Sequence, residues 1–401
     1  MNIVPMNLSS DVRFIIDTLN ESGHRADVVG GAVRDHLIGS PSYDYDITTS
    51  ATPDEVKTAF ANGRIIDTGL KHGTVTLMLD GVGYEITTWR VDGEYLDSRH
   101  PEEVIFTRSL EEDLARRDFT INAICYNPKD GFTDLFGGFS DIDAGIIRAV
   151  GDPERRFNED ALRILRAVRF SATLGFSLDE NTAKSAIKLR KLVNRVSEER
   201  IYTELKRMLS APYAHGTLSS YPEIILTVLP ELTSLHIPDE NAFKNADYLT
   251  RLLAIFHINC ADPRDSFSAA MRRLKTDNLI RTSGEAVLLA LRELKLEKRY
   301  DYLMLLNALG EELARAAVEV GILAGELSEA SREALTEAKS SDIPYRLSEL
   351  SIGGKDLLAL GIKGVEIGKT LSRLLDAVMR EECKNTPEDL KRYIDLCQNQ
   401  G

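Results

Sequence analysis

Two aspartates separated by one residue, Asp44 and Asp46 in the run DYDITT, form the most specific chemical feature of this 401-residue sequence. On a β-strand, residues i and i+2 point to the same face, so the two carboxylates would lie side by side. Like charges at that spacing are unfavourable unless a cation lies between them, and hard oxygen ligands favour Mg²⁺. We therefore interpret Asp44 and Asp46 as metal ligands; the alternative for an isolated pair is the solvent-facing end of a strand.

A third carboxylate, Glu85, lies in the middle of a later predicted strand, in the run YEITT. A charged side chain at such a position needs a reason, and convergence with the aspartate pair would supply one. Carboxylates that hold two metal ions suit nucleotidyl transfer, in which one ion activates an attacking hydroxyl and the other holds the triphosphate. We therefore predict Asp44, Asp46 and Glu85 as the catalytic residues.

Gly30 and Gly31 end a predicted strand and open a helix about a dozen residues before the aspartate pair. Glycines let the backbone approach a ligand closely, and the free N–H groups of a first helical turn favour phosphate. Arg34 would add a cation at the same place. A strand–glycine–helix turn is common, so this segment indicates a phosphate-binding site only in combination with the nearby Asp44 and Asp46.

The residues around these groups have the pattern of a sheet with flanking helices. Segments rich in β-branched and aromatic residues predict strands at 27–30, 74–79 and 84–89. Apolar spacing and capping residues predict helices at 11–20, 32–38 and 53–60. After Gly151-Asp152-Pro153 the strand signals nearly vanish and helical spacing continues to the C-terminus. The predicted fold class is α+β, with a small mixed sheet followed by all-α segments.

Composition narrows the functional class. The content of 43% hydrophobic and 28% charged residues is typical of a globular protein, and the apolar runs are far shorter than the ~18 residues of a membrane span. The net charge of −14 argues against general nucleic-acid binding, but residues 154–210 hold 13 Lys and Arg against 8 Asp and Glu. Four scattered cysteines without a CxxC pair, and a start without signal-peptide features, predict a cytoplasmic protein.

The run GGAVRDHLIG followed by DYDITT resembles the first signature of the class II tRNA nucleotidyltransferase and bacterial poly(A) polymerase family. Further segments match this family's signatures in the expected order. They are TGLKHGTV at 68–75, RRDFTINA at 116–123, GDP with Arg156-Phe157 at 151–157, EDALR at 159–163, and ERI with Glu204-Leu205 at 199–205. Six ordered signatures are far more specific than any one of them, and they imply a polymerase-β-like head.

The resemblance implies a nucleotide-selecting role for the EDALR segment. Glu159, Asp160 and Arg163 would lie on one face of one helical turn. Asp160 and Arg163 would pair with the base edge that C and A share, whereas G and U present the opposite pattern of donors and acceptors. Glu159 would orient Arg163. Without the resemblance, a surface ion pair would be the simpler interpretation.

Further nucleotide-binding residues follow from the same resemblance. Arg117 and Asp118 match a pair that contacts the ribose, so that Asp118 would accept a hydrogen bond from a 2′-OH. Asn122 belongs to the same signature, and Arg166 and Arg169 follow Arg163 on the same helix. Outside this context, the charges at 116–118 would be interpreted as an ordinary cluster at a helix end.

The implied reaction is the addition of CCA to the 3′ end of tRNA that lacks part or all of it. The implied substrates are CTP and ATP, the cofactor is Mg²⁺, and no membrane is involved; the oligomeric state stays open. The polar segment 90–101 resembles the flexible loop of members that add the complete CCA. The predicted domains are a head (1–150), a neck (151–210), a body (211–330) and a tRNA-binding tail (331–401).

Two related activities remain as alternatives. Addition of only CC or only A would change the product but not the chemistry. A poly(A) polymerase of this family carries a basic insertion after the first signature, and none is present between 49 and 70. The body contains His257 without a following Asp, which predicts no metal-dependent phosphohydrolase site there.

Overall fold

The computed structural model describes residues 4–41, 44–92 and 104–398 of the chain. The chain divides into two units, Met1–Val228 and Leu229–Gly401. The predicted division into head, neck, body and tail is finer than this and stays a prediction. No helix of the described ranges is long and apolar enough to cross a membrane.

The strands are short, and those of the described residues lie in the first unit. They are β1 (Ala26–Val29), β2 (Asp46–Thr49), β3 (Arg64–Gly69), β4 (Thr74–Leu79), β5 (Val82–Thr88), β6 (Arg90–Asp92), β7 (Val104–Phe106), β8 (Ile124–Asn127), β9 (Gly131–Asp134), β10 (Ile146–Ile147) and β11 (Ser177–Leu178). Seven of them form one sheet in the order β3-β4-β5-β2-β1-β8-β9.

The sheet is mixed. β2 runs parallel to β5, while β2 with β1, β1 with β8 and β4 with β5 are antiparallel. β1 is fully buried, because it lies between β2 and β8 in the middle of the sheet. The predicted fold class is therefore confirmed.

Helices surround this sheet and then make up the rest of the chain. In the first unit they are α1 (Ser10–Glu21), α2 (Gly31–Leu37), α3 (Pro53–Ala59), α4 (Leu110–Ala115), α5 (Gly138–Ala144), α6 (Pro153–Glu159), α7 (Leu162–Leu174), α8 (Glu180–Leu189), α9 (Glu198–Ser210), α10 (Ala214–Ser220) and α11 (Pro222–Val228). α4 packs on the sheet through Leu114, which joins Val29, Ala123, Cys125 and Val150 in a buried cluster.

The second unit is helical throughout its described residues. Its helices are α12 (Glu240–Asn245), α13 (Tyr248–Asn259), α14 (Pro263–Arg273), α15 (Asn278–Glu293), α16 (Arg299–Leu323), α17 (Ala330–Ser340), α18 (Gly354–Ala359), α19 (Val365–Met379) and α20 (Pro387–Gln398). α16 is kinked at Gly310, whose φ of +72° is not helical. His257 on α13 bonds Glu326 at 2.9 Å, as an ordinary polar contact would.

Candidate active site

The aspartate pair lies where β2 begins, and this corrects one expectation. β2 starts at Asp46, whereas Asp44 precedes the strand, so the two carboxylates do not share a strand face through the i, i+2 rule. Both residues are exposed. Asp46 pairs with Val29, the last residue of β1, which places it beside Gly30.

Charged groups converge on Asp46. The pKa of Asp46 is raised, first because surrounding protein atoms desolvate its carboxyl group, and next because Asp44 and Glu85 place negative charges near it; Arg117 opposes this shift. Glu85 comes from β5, where Ile86 pairs with Ile47 of β2, so Asp46 and Glu85 are the preceding neighbours in the same register. The three predicted catalytic residues therefore belong to one electrostatic cluster.

The carboxylates do not form a closed three-ligand cage. Among the described residues, no group of three His, Cys, Asp or Glu side chains is placed to hold a metal ion by itself. Magnesium is commonly bound through one or two carboxylates while substrate phosphates and water complete its shell. An open, acidic strand end with Asp44 and Asp46 fits that mode of binding.

Gly30, a buried glycine at the end of β1, lies beside this cluster. Its φ of +77° favours glycine, and a Cβ at this position would lie 3.8 Å from Asp46 Oδ2 and 3.7 Å from Arg117 Nη1. Gly31 then opens α2. The glycine pair thus keeps the space between a carboxylate and a guanidinium free of side-chain atoms, as a bound triphosphate would require.

Arg34 points inward from α2. Its Nη1 donates to Asn122 Oδ1 at 2.7 Å, and its Nε and Nη2 donate to Asp35 Oδ1 at 2.9 and 2.7 Å. Its side chain is 10% exposed. The structure therefore links Arg34 and Asn122 to each other, and Arg34 contributes its charge from behind the glycine turn.

Asp118 is more enclosed than a ribose contact predicts. Its Oδ1 accepts from the Phe119 N–H at 2.9 Å and from Asn122 Nδ2 at 3.2 Å, and its Oδ2 accepts from Arg166 Nε and Nη2 at 2.8 and 2.6 Å. These four bonds occupy the usual acceptor positions of a carboxylate. A hydrogen bond to a 2′-OH would have to replace one of them, so the ribose-reading role stays a prediction.

Asp118 is expected to make the free energy of unfolding depend on pH. Burial would raise the pKa of its carboxyl group, but the charge and hydrogen bonds of Arg166 outweigh burial and lower the pKa to about 2. Because the folded value lies below that of the unfolded chain, the stabilisation is complete at neutral pH and is lost as pH falls toward 2. We expect Asp118→Asn to lower the free energy of unfolding by about 2 kcal/mol at pH 7 and by about half of that near pH 3.

Urea unfolding of the wild type and Asp118→Asn between pH 7 and pH 3 measures this difference. Asp67→Asn is a matched control, because Asp67 on β3 forms a partly exposed ion pair with Lys57 on α3. Such pairs contribute between about 0 and 1 kcal/mol. A difference between wild type and Asp118→Asn that stays constant over the whole pH range would contradict the assignment.

The EDALR segment differs from the single helical turn that its spacing predicts. α6 ends at Glu159, Asp160 has extended backbone angles, and α7 begins at Leu162. The break is stabilised by Asp160, whose Oδ1 accepts from the Leu162 N–H at 3.0 Å. Glu159, Asp160 and Arg163 therefore lie at a junction between two helices rather than on one face of one helix.

The junction nevertheless brings these residues together. Arg163 Nη1 donates to Glu159 Oε2 at 2.9 Å, while the role of Glu159 in orienting Arg163 for a base stays a prediction. Arg163 Nη2 donates to the backbone carbonyl of Arg116 at 2.9 Å, and the residue is 8% exposed. Asp160 is half-buried, and its Oδ2 lies 3.4 Å from Arg200 Nη2. Arg163 is thus fixed against the segment that also carries Arg117 and Asp118.

Arg166 and Arg169 are engaged within the protein. Arg166 pairs with Asp118, and Arg169 Nε donates to Glu204 Oε2 at 2.5 Å in a pair that is almost fully buried. Arg34, Arg166 and Arg169 surround the ring of Phe170, with Cζ atoms 5.0, 5.3 and 3.8 Å from its centroid. Their nucleotide-binding role stays a prediction; in the structure Arg166 connects α7 to Asp118, and Arg169 connects α7 to Glu204 of α9.

Sequence reasoning missed Asp113, which lies at the centre of this region. Asp113 is on α4, is 0% exposed, and forms ion pairs with Arg116 and Arg117. The signal was available, because an acid three and four residues before two arginines on a helix predicts such pairs. The predicted flexible loop at 90–101 is described only at Arg90–Asp92, as β6; the rest of it lies outside the described residues.

Comparison with protein families assigns the chain region by region. Residues 26–148 match the model described as "Poly A polymerase head domain". Residues 175–233 match "Probable RNA and SrmB- binding site of polymerase A", and residues 247–394 match "tRNA nucleotidyltransferase domain 2". The first match contains the signatures at 68–75 and 116–123, and the second contains the one at 199–205.

Similar proteins match over nearly the full length. The CCA-adding enzyme of Lactobacillus helveticus is 36% identical over 387 residues, which cover 95% of each chain. That of Bacillus cytotoxicus is 36% identical over 392 residues, which cover 96% of this chain and 97% of the relative. The crystal structure of the Bacillus stearothermophilus CCA-adding enzyme in complex with CTP superposes with a TM-score of 0.76 at 31% identity, covering 97% of this chain and 98% of the other.

Proposed function

The chain belongs to the family of CCA-adding enzymes, and from this membership we propose that it adds the 3′-terminal CCA to tRNA from CTP and ATP without a nucleic-acid template. Its substrates are tRNA with a missing or incomplete CCA end, CTP and ATP. In each cycle the 3′-oxygen of the tRNA forms a bond to the α-phosphorus of the incoming nucleotide. The bond from that phosphorus to the bridging oxygen breaks, and pyrophosphate leaves with the electron pair.

The strongest support for the proposed catalytic carboxylates is their position relative to Gly30 and Arg117. Asp44, Asp46 and Glu85 form a negative cluster, and Gly30 lies between the carboxylate of Asp46 and the guanidinium of Arg117. Nucleotidyl transfer needs negative ligands for cations next to a place for a triphosphate, and this cluster combines both. We propose Asp44, Asp46 and Glu85 as the catalytic carboxylates on this ground.

Divalent metal ions are general for nucleotidyltransferases, and we propose Mg²⁺ for this chain with Asp44 and Asp46 as its ligands. The donor set fits, because it consists of hard carboxylate oxygens at an exposed strand end. A bound ion would supply Lewis-acid polarisation of the phosphates and a lower pKa for the attacking hydroxyl. Asp44 and Asp46 hold negative charge at the strand end, and Arg117 offers a cation on the other side of Gly30.

Nucleotide choice is proposed to reside at the junction of α6 and α7. Asp160 would accept a hydrogen bond from the exocyclic amine of C or A, and Arg163 would donate to the ring nitrogen. Glu159 fixes the position of Arg163, and the Arg116 carbonyl holds its other terminal nitrogen. A fixed Arg163 suits selection without a template, because a base with the opposite pattern of donors and acceptors would leave buried hydrogen-bonding groups unpaired.

Product analysis tests this function. The protein is incubated with Mg²⁺ and with tRNA that ends at its 73rd, discriminator nucleotide, at that position plus C, or at that position plus CC, and the product ends are sequenced. We expect CCA, CA and A, respectively, from CTP and ATP together, and no extension with UTP or GTP. Products that stop at CC, that gain only A on the CC-ended substrate, or that carry long A tails would instead identify the alternative activities. Reactions without the protein serve as the background control.

A further inference from the structure

Asp113 gathers an unusual number of donors for one buried carboxylate. Its Oδ1 accepts from Arg116 Nε and Nη2 at 2.9 and 2.7 Å and from the Arg90 N–H at 3.4 Å. Its Oδ2 accepts from Arg117 Nη2 at 3.1 Å and from Thr48 Oγ1 at 3.2 Å. The carboxylate thereby connects α4, β2 and β6 with two consecutive arginines.

The bonds of Oδ2 connect Arg117 to the strand that carries Asp46. Thr48 is two residues after Asp46 on β2, so both residues belong to the same face of that strand. Arg117 Nη2 is held by Asp113, while Arg117 Nη1 faces Gly30. Arg117 Nε is buried and has no hydrogen-bond partner among the described residues. Asp113 thus fixes one end of this guanidinium and leaves Nη1 toward the glycine turn.

The hydrogen bonds of Oδ1 connect the same carboxylate, through Arg116, to Arg163, the proposed base-selecting residue. Arg116 is clamped through two nitrogens, and the backbone carbonyl of Arg116 accepts from Arg163 Nη2 at 2.9 Å. Displacement of Arg116 would therefore shift the acceptor on which Arg163 rests. A single side chain joins the strand of the metal ligands, the guanidinium at the glycine turn and the support of Arg163.

We propose that Asp113 is a positioning residue that sets the register between the catalytic strand β2 and the nucleotide-reading arginines. It acts through Arg117 and through the Arg116 carbonyl, without touching substrate. This inference rests on the proposed function, since it assigns Arg117 and Arg163 to the nucleotide. Two positive groups against one carboxylate also leave an uncompensated positive charge, which Arg117 directs toward Gly30 and the expected position of the triphosphate.

The protonation state is consistent with this arrangement. Burial would raise the pKa of Asp113, but the charges of Arg117 and Arg116 and their hydrogen bonds hold it below its ordinary value. The carboxylate is therefore ionised throughout the neutral range. Asparagine at this position would keep the shape, lose the charge and present an N–H₂ group toward one of the donors.

Kinetics of Asp113→Asn with CTP and tRNA test the proposal. We expect kcat/KM for CTP to fall about a hundredfold, with the loss divided between kcat and KM, because a displacement of about 1 Å in a positioning group has effects of that size. Equilibrium binding of CTP, which does not depend on turnover, is expected to weaken about tenfold. Asp27→Asn is the matched control, because Asp27 is likewise 0% exposed and paired with an arginine, Arg25, outside the site; its kcat/KM should stay near the wild-type value.

A double-mutant comparison separates positioning from a structural role. If Asp113 acts through Arg117, the variant Asp113→Asn/Arg117→Met should be no more than a few-fold less active than Arg117→Met alone. Independent losses that multiply would overturn the proposal, as would a folded Asp113→Asn protein with kcat/KM within threefold of the wild type.

Thr48→Val decides the matter if Asp113→Asn does not fold. It removes one hydrogen bond to Asp113 Oδ2 and keeps the volume of a fully buried side chain. We expect a three- to tenfold loss in kcat/KM and a weaker affinity for CTP, whereas unchanged values would refute the inference.

The wild-type chain separates this inference from the proposed function. If it binds CTP without extending tRNA, only the proposed function is contradicted. If it neither binds CTP nor extends tRNA, both fail.

Discussion

Replacing Asp46 by asparagine is expected to lower the rate of nucleotide addition by about a thousandfold or more while the protein stays folded. Asp46 lies at an exposed strand end, and Asp44, Glu85 and Arg117 place charges near its carboxyl group. A carboxamide keeps the shape but loses the charge that binds a cation. Stabilisation of the reacting phosphates by bound metal is worth several kcal/mol, and ~4 kcal/mol corresponds to about a thousandfold in rate.

Single-turnover transfer of labelled CMP to tRNA ending at the discriminator base measures this effect. Thermal unfolding and binding of tRNA should stay at their wild-type values in the variant. Asp67→Asn, which removes an exposed carboxylate from the edge strand β3, should keep full activity. Activity of Asp46→Asn within tenfold of the wild type would remove Asp46 from the catalytic centre.

Asp44→Asn tests the pair as a pair. Because Asp44 precedes β2, its carboxylate is positioned by the chain entering the strand rather than by the strand itself. A loss comparable to that of Asp46→Asn would show that both carboxylates bind the same ions. A much smaller loss would assign the ligand role to Asp46 with Glu85.

Local patterns predicted three strands of the seven-stranded sheet, β1, β4 and β5, and the helices α1, α2 and α3, each to within about two residues. The strand at 74–79 is observed as Thr74–Leu79, and the helix predicted at 53–60 is observed as Pro53–Ala59. At the start of α3, Thr52 and Glu55 form a capping box, and Pro53 occupies a first-turn position where it loses no hydrogen bond. Such signals are contained in a few consecutive residues, so the sequence alone reveals them.

The sequence predicted residues that the structure places close together, but it did not predict the bonds between them. The helix break at Asp160 depends on a side chain that caps the next helix, and helical spacing continues through it without interruption. The pairing of Asp118 with Arg166 joins residues 48 positions apart, and that of Asp113 with Thr48 joins residues 65 apart. These long-range partners depend on tertiary packing, and local spacing does not encode them.

The second large effect is expected from Arg163→Ala, which should relax nucleotide choice more than it slows addition of the correct nucleotide. Sites built on buried hydrogen bonds reject a mismatched base by about 10⁴, and removal of one such donor has an effect on the order of 10² to 10³. We therefore expect the ratio of kcat/KM for CTP to that for UTP to fall by about a hundredfold. Parallel reactions with each of the four nucleotides on tRNA lacking CCA measure the ratio.

Two further variants show whether the change in nucleotide choice comes from Arg163 itself. Glu159→Gln weakens the ion pair that holds Arg163 at 2.9 Å and should relax selection in the same direction, by about tenfold. Lys184→Ala removes an exposed charge from α8 in an i,i+4 pair with Glu180 and should leave the ratio unchanged. Both variants leave Asp44 and Asp46 unchanged, so metal binding is expected to stay constant across the series.

The fixed position of Arg163 explains why its loss should change selectivity rather than stability alone. Its terminal nitrogens are held by Glu159 and by the Arg116 carbonyl, so little entropy remains to be lost when a base arrives. C and A can replace water on such a reader with matched hydrogen bonds, while U and G would leave a buried donor and the Asp160 carboxylate unpaired. If Arg163→Ala discriminates against UTP and GTP as strongly as the wild type, selection must depend on other groups, and Asp160 with Arg200 would be the next pair to test.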